Sequence, residues 1–217
     1  EEFNRPKFHY RMDILEKIFN SPAQIKIMRL FLYNSETVFD GAEVRKRTQL
    51  SPRATSKEIH RLSAAGFLRQ RSAFNSPREV KPSVKNEQRK RIHGWVLNGR
   101  FPYLEQFKDL LVSCHEFERV AIAKKFSKAG RIKLLVISGV FLRSDFSRVD
   151  ILLVGDHLRH AIITQALKSI ESSLGKDVRY AVFETKDFLY RLSVYDKFVR
   201  DILDYPHEKL VDRFGLR

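Results

Sequence analysis

The chain has 217 residues, 43% of them hydrophobic with 17 phenylalanines, which is enough apolar material for real cores and excludes a disordered chain. Its 41 lysines and arginines against 26 aspartates and glutamates give a net charge of +15, which calls for an anionic partner, most commonly nucleic acid. No apolar run approaches the roughly 18 residues of a membrane span, no signal-peptide pattern opens the sequence, and a single cysteine, Cys114, excludes a disulfide framework and a cysteine-based zinc cluster, so a cytoplasmic protein with no membrane contact is expected.

Residues 12–19 read as a short helix with Ile14, Leu15, Ile18 and Phe19 on one side. Ser21-Pro22 starts the next helix: serine caps, and proline suits a first turn that needs no amide hydrogen. That helix runs to about Tyr33, and Asn34-Ser35 ends it. Val38-Phe39 is a brief extended piece. Asp40 caps a helix holding Ala42, Val44 and Thr48. Ser51-Pro52 repeats the cap-and-proline start for a third helix that ends at Ala65, with Gly66 in the place of a left-handed cap. On this third helix Ile59, Leu62 and Ala65 face inward. Arg53, Ser56, Lys57 and His60 stand at i, i+3, i+4 and i+7 and share the outward face.

Phe67 to Arg71 reads as a strand, broken by Asn75-Ser76-Pro77, and Arg91 to Leu97 as a second strand. Between them the cations crowd. Arg69, Arg71, Arg78, Lys81, Lys85, Arg89, Lys90 and Arg91 face only Glu79 and Glu87. Residues 1–98 hold 20 basic and 10 acidic residues, a net of 20 − 10 = +10, so the first half carries most of the excess. A solvated basic loop would give the same run of charge. Helix, helix, turn, helix and a two-stranded hairpin, with the phrase IHRLSAAGFLRQR at 59–71, resemble the winged helix-turn-helix family in its bacterial and archaeal transcription-regulator forms. The resemblance implies a double-stranded DNA partner. Arg53, Ser56, Lys57, His60 and Arg61 would then enter the major groove. Arg45, Lys46 and Arg47 would meet the phosphate backbone, and the cations of the hairpin the backbone or minor groove. RNA binding through the basic loop is the alternative partner.

Residues 99–129 read as a helical linker, with Phe107, Leu110, Leu111 and Cys114 on one face and Phe117, Val120, Ala121 and Ala123 in a second helix. Cys114 reads as a core residue. The pattern then changes. Ile132–Ser138 and Val149–Val154 are buried strands, Asp156–Leu174 a helix with Ile163, Ala166, Leu167, Ile170 and Leu174 inward, and Val178–Phe183 a third strand. Thr185 caps a helix that carries Phe188, Leu192, Tyr195, Val199 and Ile202, and residues 208–214 are a terminal strand or coil. The whole is an α+β or α/β chain of two domains: 1–98, the linker 99–129, and a mixed sheet with flanking helices at 130–217.

The phrases LLVISG and VDILLVGD resemble the minimal nucleotidyltransferase domain of the polymerase-beta superfamily over about residues 130–215. In that family Gly-Ser at the first strand end meets nucleotide phosphates, and Asp-x-Asp plus a later acid hold Mg²⁺. This chain keeps Gly139 but has Val140 for the serine, Arg148-Val149-Asp150 for Asp-x-Asp, and Arg179 near the place of the third acid. One carboxylate beside arginines does not hold two divalent ions. Gly139 and Asp150 therefore read as vestiges, with no cofactor expected and no catalytic residue. Asp150 is expected to pair with an arginine or cap a loop. The alternative is an active transferase that uses Mg²⁺ and a nucleoside triphosphate, with Asp145, Asp156 or Glu184 as further acids. His157 and His160 stand i, i+3 without an evident third ligand. Gly139, Gly155 and Gly175 read as turns. Ser113-Cys114-His115 do not face one another on a helix. A homodimer is expected, since one such module reads few base pairs, with 99–130 and the aromatic helix 186–203 as contact surfaces.

Overall fold

In the computed structural model, which describes residues 15, 18–74, 91–113, 119–142, 144 and 146–216, Ser21, Asp40 and Ser51 each begin a helix as the sequence predicts. Their side-chain oxygens accept from the backbone N–H three residues on: Ser21 from Gln24 (3.2 Å), Asp40 from Glu43 (2.7 Å) and Ser51 from Ala54 (3.3 Å). The helices are α1 (Pro22–Tyr33), α2 (Gly41–Thr48) and α3 (Pro52–Ala64). Gly66 takes φ +77° after α3, the left-handed conformation its lack of a Cβ allows. Most of the expected helix 12–19, the break at Asn75-Ser76-Pro77, Cys114, His115, Phe117, Arg143 and Asp145 lie outside the described residues.

The contacts of the chain divide it into two units, Glu1–His115 with Ser172–Gly175, and Glu116–Glu171 with Lys176–Arg217. In the first, α1 is buried along Ile25, Ile27, Met28, Leu30, Phe31 and Leu32 and packs with Val44, Ile59, Leu62 and Phe67. Strands β1 (Leu68–Phe74) and β2 (Arg91–Leu97) pair antiparallel, Leu68 opposite Leu97 and Ser72 opposite His93. Phe39 adds an isolated bridge to Trp95 through two backbone hydrogen bonds of 2.9 and 2.8 Å. A Cβ on Gly94 would stand 2.2 Å from the Phe39 carbonyl oxygen, so this close approach requires glycine. The expected linker is not a spacer. Helix α4 (Leu104–Lys108) and a π-helical turn (Asp109–Ser113) place Phe101, Phe107 and Leu111 in the first core. Phe67 meets Phe101 edge-on at 5.4 Å. Arg29, 2% exposed, donates to the carbonyls of Leu111 (3.0 Å) and Ser173 (3.4 Å) of the same unit.

The second unit begins with α5 (Arg119–Phe126) and a four-stranded sheet ordered β5-β4-β3-β6: β3 Arg131–Ser138, β4 Ile151–Asp156, β5 Tyr180–Glu184 and β6 His207–Asp212. Pairing is antiparallel for β3–β4 and β3–β6 and parallel for β4–β5, so the sheet is mixed. The parallel pair is joined through α6 (His160–Leu174), as parallel strands require a crossover. Helices α7 (Thr185–Ser193) and α8 (Lys197–Asp204) place Phe188, Val199 and Ile202 against Leu134, Val136, Leu152 and Val154. The intervening Leu135, Ile137, Ile151 and Leu153 are buried as well, so both faces of the central strands are covered.

Several sequence expectations are corrected here. Ala65 is exposed, because the helix has reached its C-cap there. Leu110, expected on one face with Phe107 and Leu111, is 40% exposed while its neighbour Leu111 is fully buried in the π-helical turn. Asp156 still belongs to β4, opposite Arg131, and α6 starts only at His160. Gly155 is a strand residue rather than a turn, and a Cβ there would meet the Arg131 carbonyl oxygen at 2.4 Å. Thr185 is the first residue of α7, not its cap. The helix expected from it is two helices, because Asp196 accepts from Val199 N–H (3.1 Å) and caps a new one after Tyr195 has turned to φ +54°.

Candidate functional site

On α3 the buried positions are Thr55, Glu58, Ile59 and Leu62, which leaves Arg53, Ser56, Lys57, His60 and Arg61 exposed. The helix thus turns a purely polar and cationic side outward while an apolar stripe fixes it to the first core. Only Arg61 of these has a described acidic partner, the buried Glu58 at 3.4 Å. That contact biases the Arg61 guanidinium toward its own helix. Glu58 was not expected to matter, and nothing in its spacing singles it out as the buried acid.

On α2, Arg45 and Lys46 are exposed and Arg47 is not fully free of the protein surface. Glu43 accepts from Arg47 Nε at 2.9 Å and from Lys46 Nζ at 3.4 Å, the i, i+4 and i, i+3 spacings of helical ion pairs. Arg47 also lies 5.4 Å from the centroid of Phe39. Arg45 is therefore the least engaged of the three in the contacts described, and Arg47 the most.

The hairpin presents Arg69, Arg71 and Arg91 as exposed side chains. Strand alternation puts Arg69 and Arg71 on one face and Arg91 on the other, with Gln70, Ser72 and His93. Ser72 Oγ and His93 Nδ1 are 2.7 Å apart across the ladder. His93 adds a polar group that sequence reading missed, because its place opposite Ser72 depends on the register. Arg78, Lys81, Lys85, Arg89 and Lys90 lie outside the described residues.

A second polar cluster sits at one end of the sheet in the other unit. Asp150 is 3% exposed just before β4. Its Oδ1 accepts from Val140 N–H (2.9 Å) and its Oδ2 from Arg179 N–H (2.8 Å). The Arg179 guanidinium adds Nη2 to Oδ1 and Nε to Oδ2, both at 3.3 Å. Gly139 has φ +54°, and a Cβ there would lie 2.0 Å from Asp150 Oδ1, so this glycine makes room for the carboxylate. Beside it Ser147 Oγ donates to the Ser138 hydroxyl at 2.9 Å, and Ser138 Oγ donates to the Val149 carbonyl at 2.6 Å. Arg148 points elsewhere and pairs with Asp201.

Among the described residues, the Asp150 cluster does not offer Mg²⁺ and a nucleoside triphosphate a fitting donor set: both Asp150 oxygens are engaged by N–H groups, and the Arg179 guanidinium lies beside them where a divalent ion would need more anionic oxygen. Among the described residues no group of three histidine, cysteine, aspartate or glutamate side chains is placed to hold a metal, and His157 and His160 are both exposed. No helix among the described residues is long and apolar enough to cross a membrane. No protein family, no curated protein and no solved structure matches the chain.

Proposed function

We propose that the first unit is a winged helix-turn-helix that binds double-stranded DNA, with α3 in the major groove and the β1–β2 hairpin as the wing, and that the chain is a cytoplasmic transcription regulator. The observation that carries this is the outward side of α3. Arg53, Ser56, Lys57, His60 and Arg61 are exposed together while every buried position of that helix faces the core. Guanidinium, ammonium, hydroxyl and imidazole groups are the donors that read base edges and hold phosphates. Arg45 on α2 and Arg69, Arg71 and Arg91 on the hairpin supply flanking positive charge. The second unit, read as a nucleotidyltransferase-like fold, serves as a noncatalytic domain for ligand or partner binding. The pairing of Asp150 with Arg179 supports that reading, because the acid is already a structural acceptor.

The test is selection of bound duplexes from a random-sequence pool by the intact chain at two salt concentrations, with duplex RNA as competitor. A recovered motif, lost on Lys57→Ala, is the expected result. Salt-sensitive binding without a motif would leave only a sequence-independent role. Preference for A-form RNA, whose deep major groove does not admit a helix, would overturn the placement of α3.

A further inference from the structure

We infer that the outer side of α7 and the turn after it form the surface through which two copies of this chain associate. On α7, Leu189 stands about 100° and Tyr190 about 200° round from the buried Phe188, and Val194 is the C-cap that follows. They are 43%, 66% and 52% exposed, and Tyr195, which follows them, is 75% exposed. Tyr195 holds φ +54°, a backbone conformation that a bulky side chain rarely takes. The Arg200 guanidinium lies 5.9 Å from its ring. That conformation closes α7, with the Asp196 N–H bonded to the Arg191 carbonyl at 2.9 Å, and glycine is the residue that usually takes it, so the turn alone does not call for an exposed tyrosine there.

The charge of this region selects a second copy as the occupant. Residues 185–204 hold four basic and four acidic side chains, so the segment is neutral in a chain of +15. Two such chains repel through most of their surface and can approach where the net charge vanishes. Several of these charges are paired inside one protomer. Arg191 lies 3.1 Å from Asp187 and 3.6 Å from Asp196, and Arg200 lies 3.6 Å from Asp204. Covering these pairs strips no isolated ion of its water. Both signs on one surface also suit a two-fold contact, in which a patch meets its own copy. At about 150–250 Å² per buried aromatic side chain, the exposed parts of the two tyrosines supply on the order of 200–350 Å² per protomer, less than half of a standard interface. A contact of this size is weak and transient, so association is expected to depend on protein concentration.

Sedimentation equilibrium of the full chain without DNA tests this, independently of whether the first unit binds nucleic acid. Up to about 200 μM protein, a monomer–dimer equilibrium is expected. Raising salt from about 50 to 500 mM should tighten it at least about threefold by screening the net repulsion, the opposite sign to DNA binding. Leu189→Asp should weaken the dimer by about tenfold or more through desolvation of a buried charge. Tyr195→Gly should raise the melting temperature, by removing the strained backbone, and yet weaken association about fivefold. Val120→Asp, 77% exposed on α5, should change neither. A monomer throughout would overturn the inference, and so would a dimer indifferent to Leu189→Asp and Tyr195→Gly or one abolished by Val120→Asp. If Leu189→Asp fails to fold, Tyr195→Gly decides.

Discussion

Replacing Asp150 by asparagine separates a structural acid from a metal ligand. Asparagine keeps one acceptor oxygen, which serves either Val140 N–H or Arg179 N–H. Its amide nitrogen then faces the other N–H, donor against donor. An N–H left without an acceptor beside a carboxylate that is 5% exposed costs about 1–3 kcal/mol. The guanidinium of Arg179 is 56% exposed, so losing its pairing adds well under about 1 kcal/mol after solvent screening. Together Asp150→Asn should destabilise the second unit by about 1–3 kcal/mol, lowering a urea midpoint by roughly 0.5–1.5 M at a denaturant slope of about 2 kcal/mol/M. The assay is urea unfolding followed by circular dichroism, with and without Mg²⁺. An acid kept to bind ions behaves in the opposite way: its neutralisation is harmless or stabilising, and Mg²⁺ raises the wild-type midpoint. A loss below about 0.5 kcal/mol, or a midpoint that rises with Mg²⁺, would refute the reasoning.

Gly94→Ala should cost at least about 3 kcal/mol, because its Cβ would meet the Phe39 carbonyl at 2.2 Å and the strand or the bridge must move; a melting curve like that of the wild type would refute the close approach. Arg45→Ala should weaken DNA binding on all sequences and flatten the salt slope by roughly one unit, measured by fluorescence anisotropy. Lys57→Ala should cost about 1–3 kcal/mol on the selected sequence alone, and equal losses on scrambled duplexes would mean that α3 only positions the chain. Asp212 titrates below the ordinary 3.8: burial pushes its pKa up, but the N–H groups of Phe214 and Gly215 and the ammonium of Lys209 outweigh that. A depressed carboxyl stabilises above its ordinary pKa and loses that contribution as pH falls through the folded value. Asp212→Asn should therefore flatten the decline of the urea midpoint below about pH 4, and an unchanged acid limb would count against it.

Local signals in the sequence carried the helix starts. Ser21, Asp40 and Ser51 cap where a short polar residue, in two cases with proline after it, precedes an apolar pattern. Asp196 carries the same signal, although the long apolar spacing from Phe188 to Ile202 reads as one helix across it. What depends on pairing is not local. Asp150 and Arg179 are 29 residues apart and meet because β4 and β5 lie parallel, with Ile151 opposite Tyr180. Phe101, Phe107 and Leu111 are legible as apolar but not as members of the first core, since periodicity names a buried side and never the neighbour. On the nucleic-acid face the exposed cations of α3 were readable from i, i+3, i+4, i+7 spacing. The tethering of Arg47 by Glu43 was also within reach of that rule, whereas its place beside Phe39 required the bridge to Trp95.

The first unit is assembled from two stretches of chain, and synthesis delivers them at different times. Its main stretch ends at His115 and its last segment at Gly175, which is 175 − 115 = 60 residues later. At roughly 5–20 residues per second that is a delay of about 3–12 s on the ribosome. Until then Arg29 lacks the Ser173 carbonyl, and Asn34 lacks the Gly175 carbonyl that it reaches at 3.0 Å in the finished unit. The nascent N-terminal unit waits for the end of α6 before its buried guanidinium is fully satisfied, so its completion is coupled to translation of more than half the second unit.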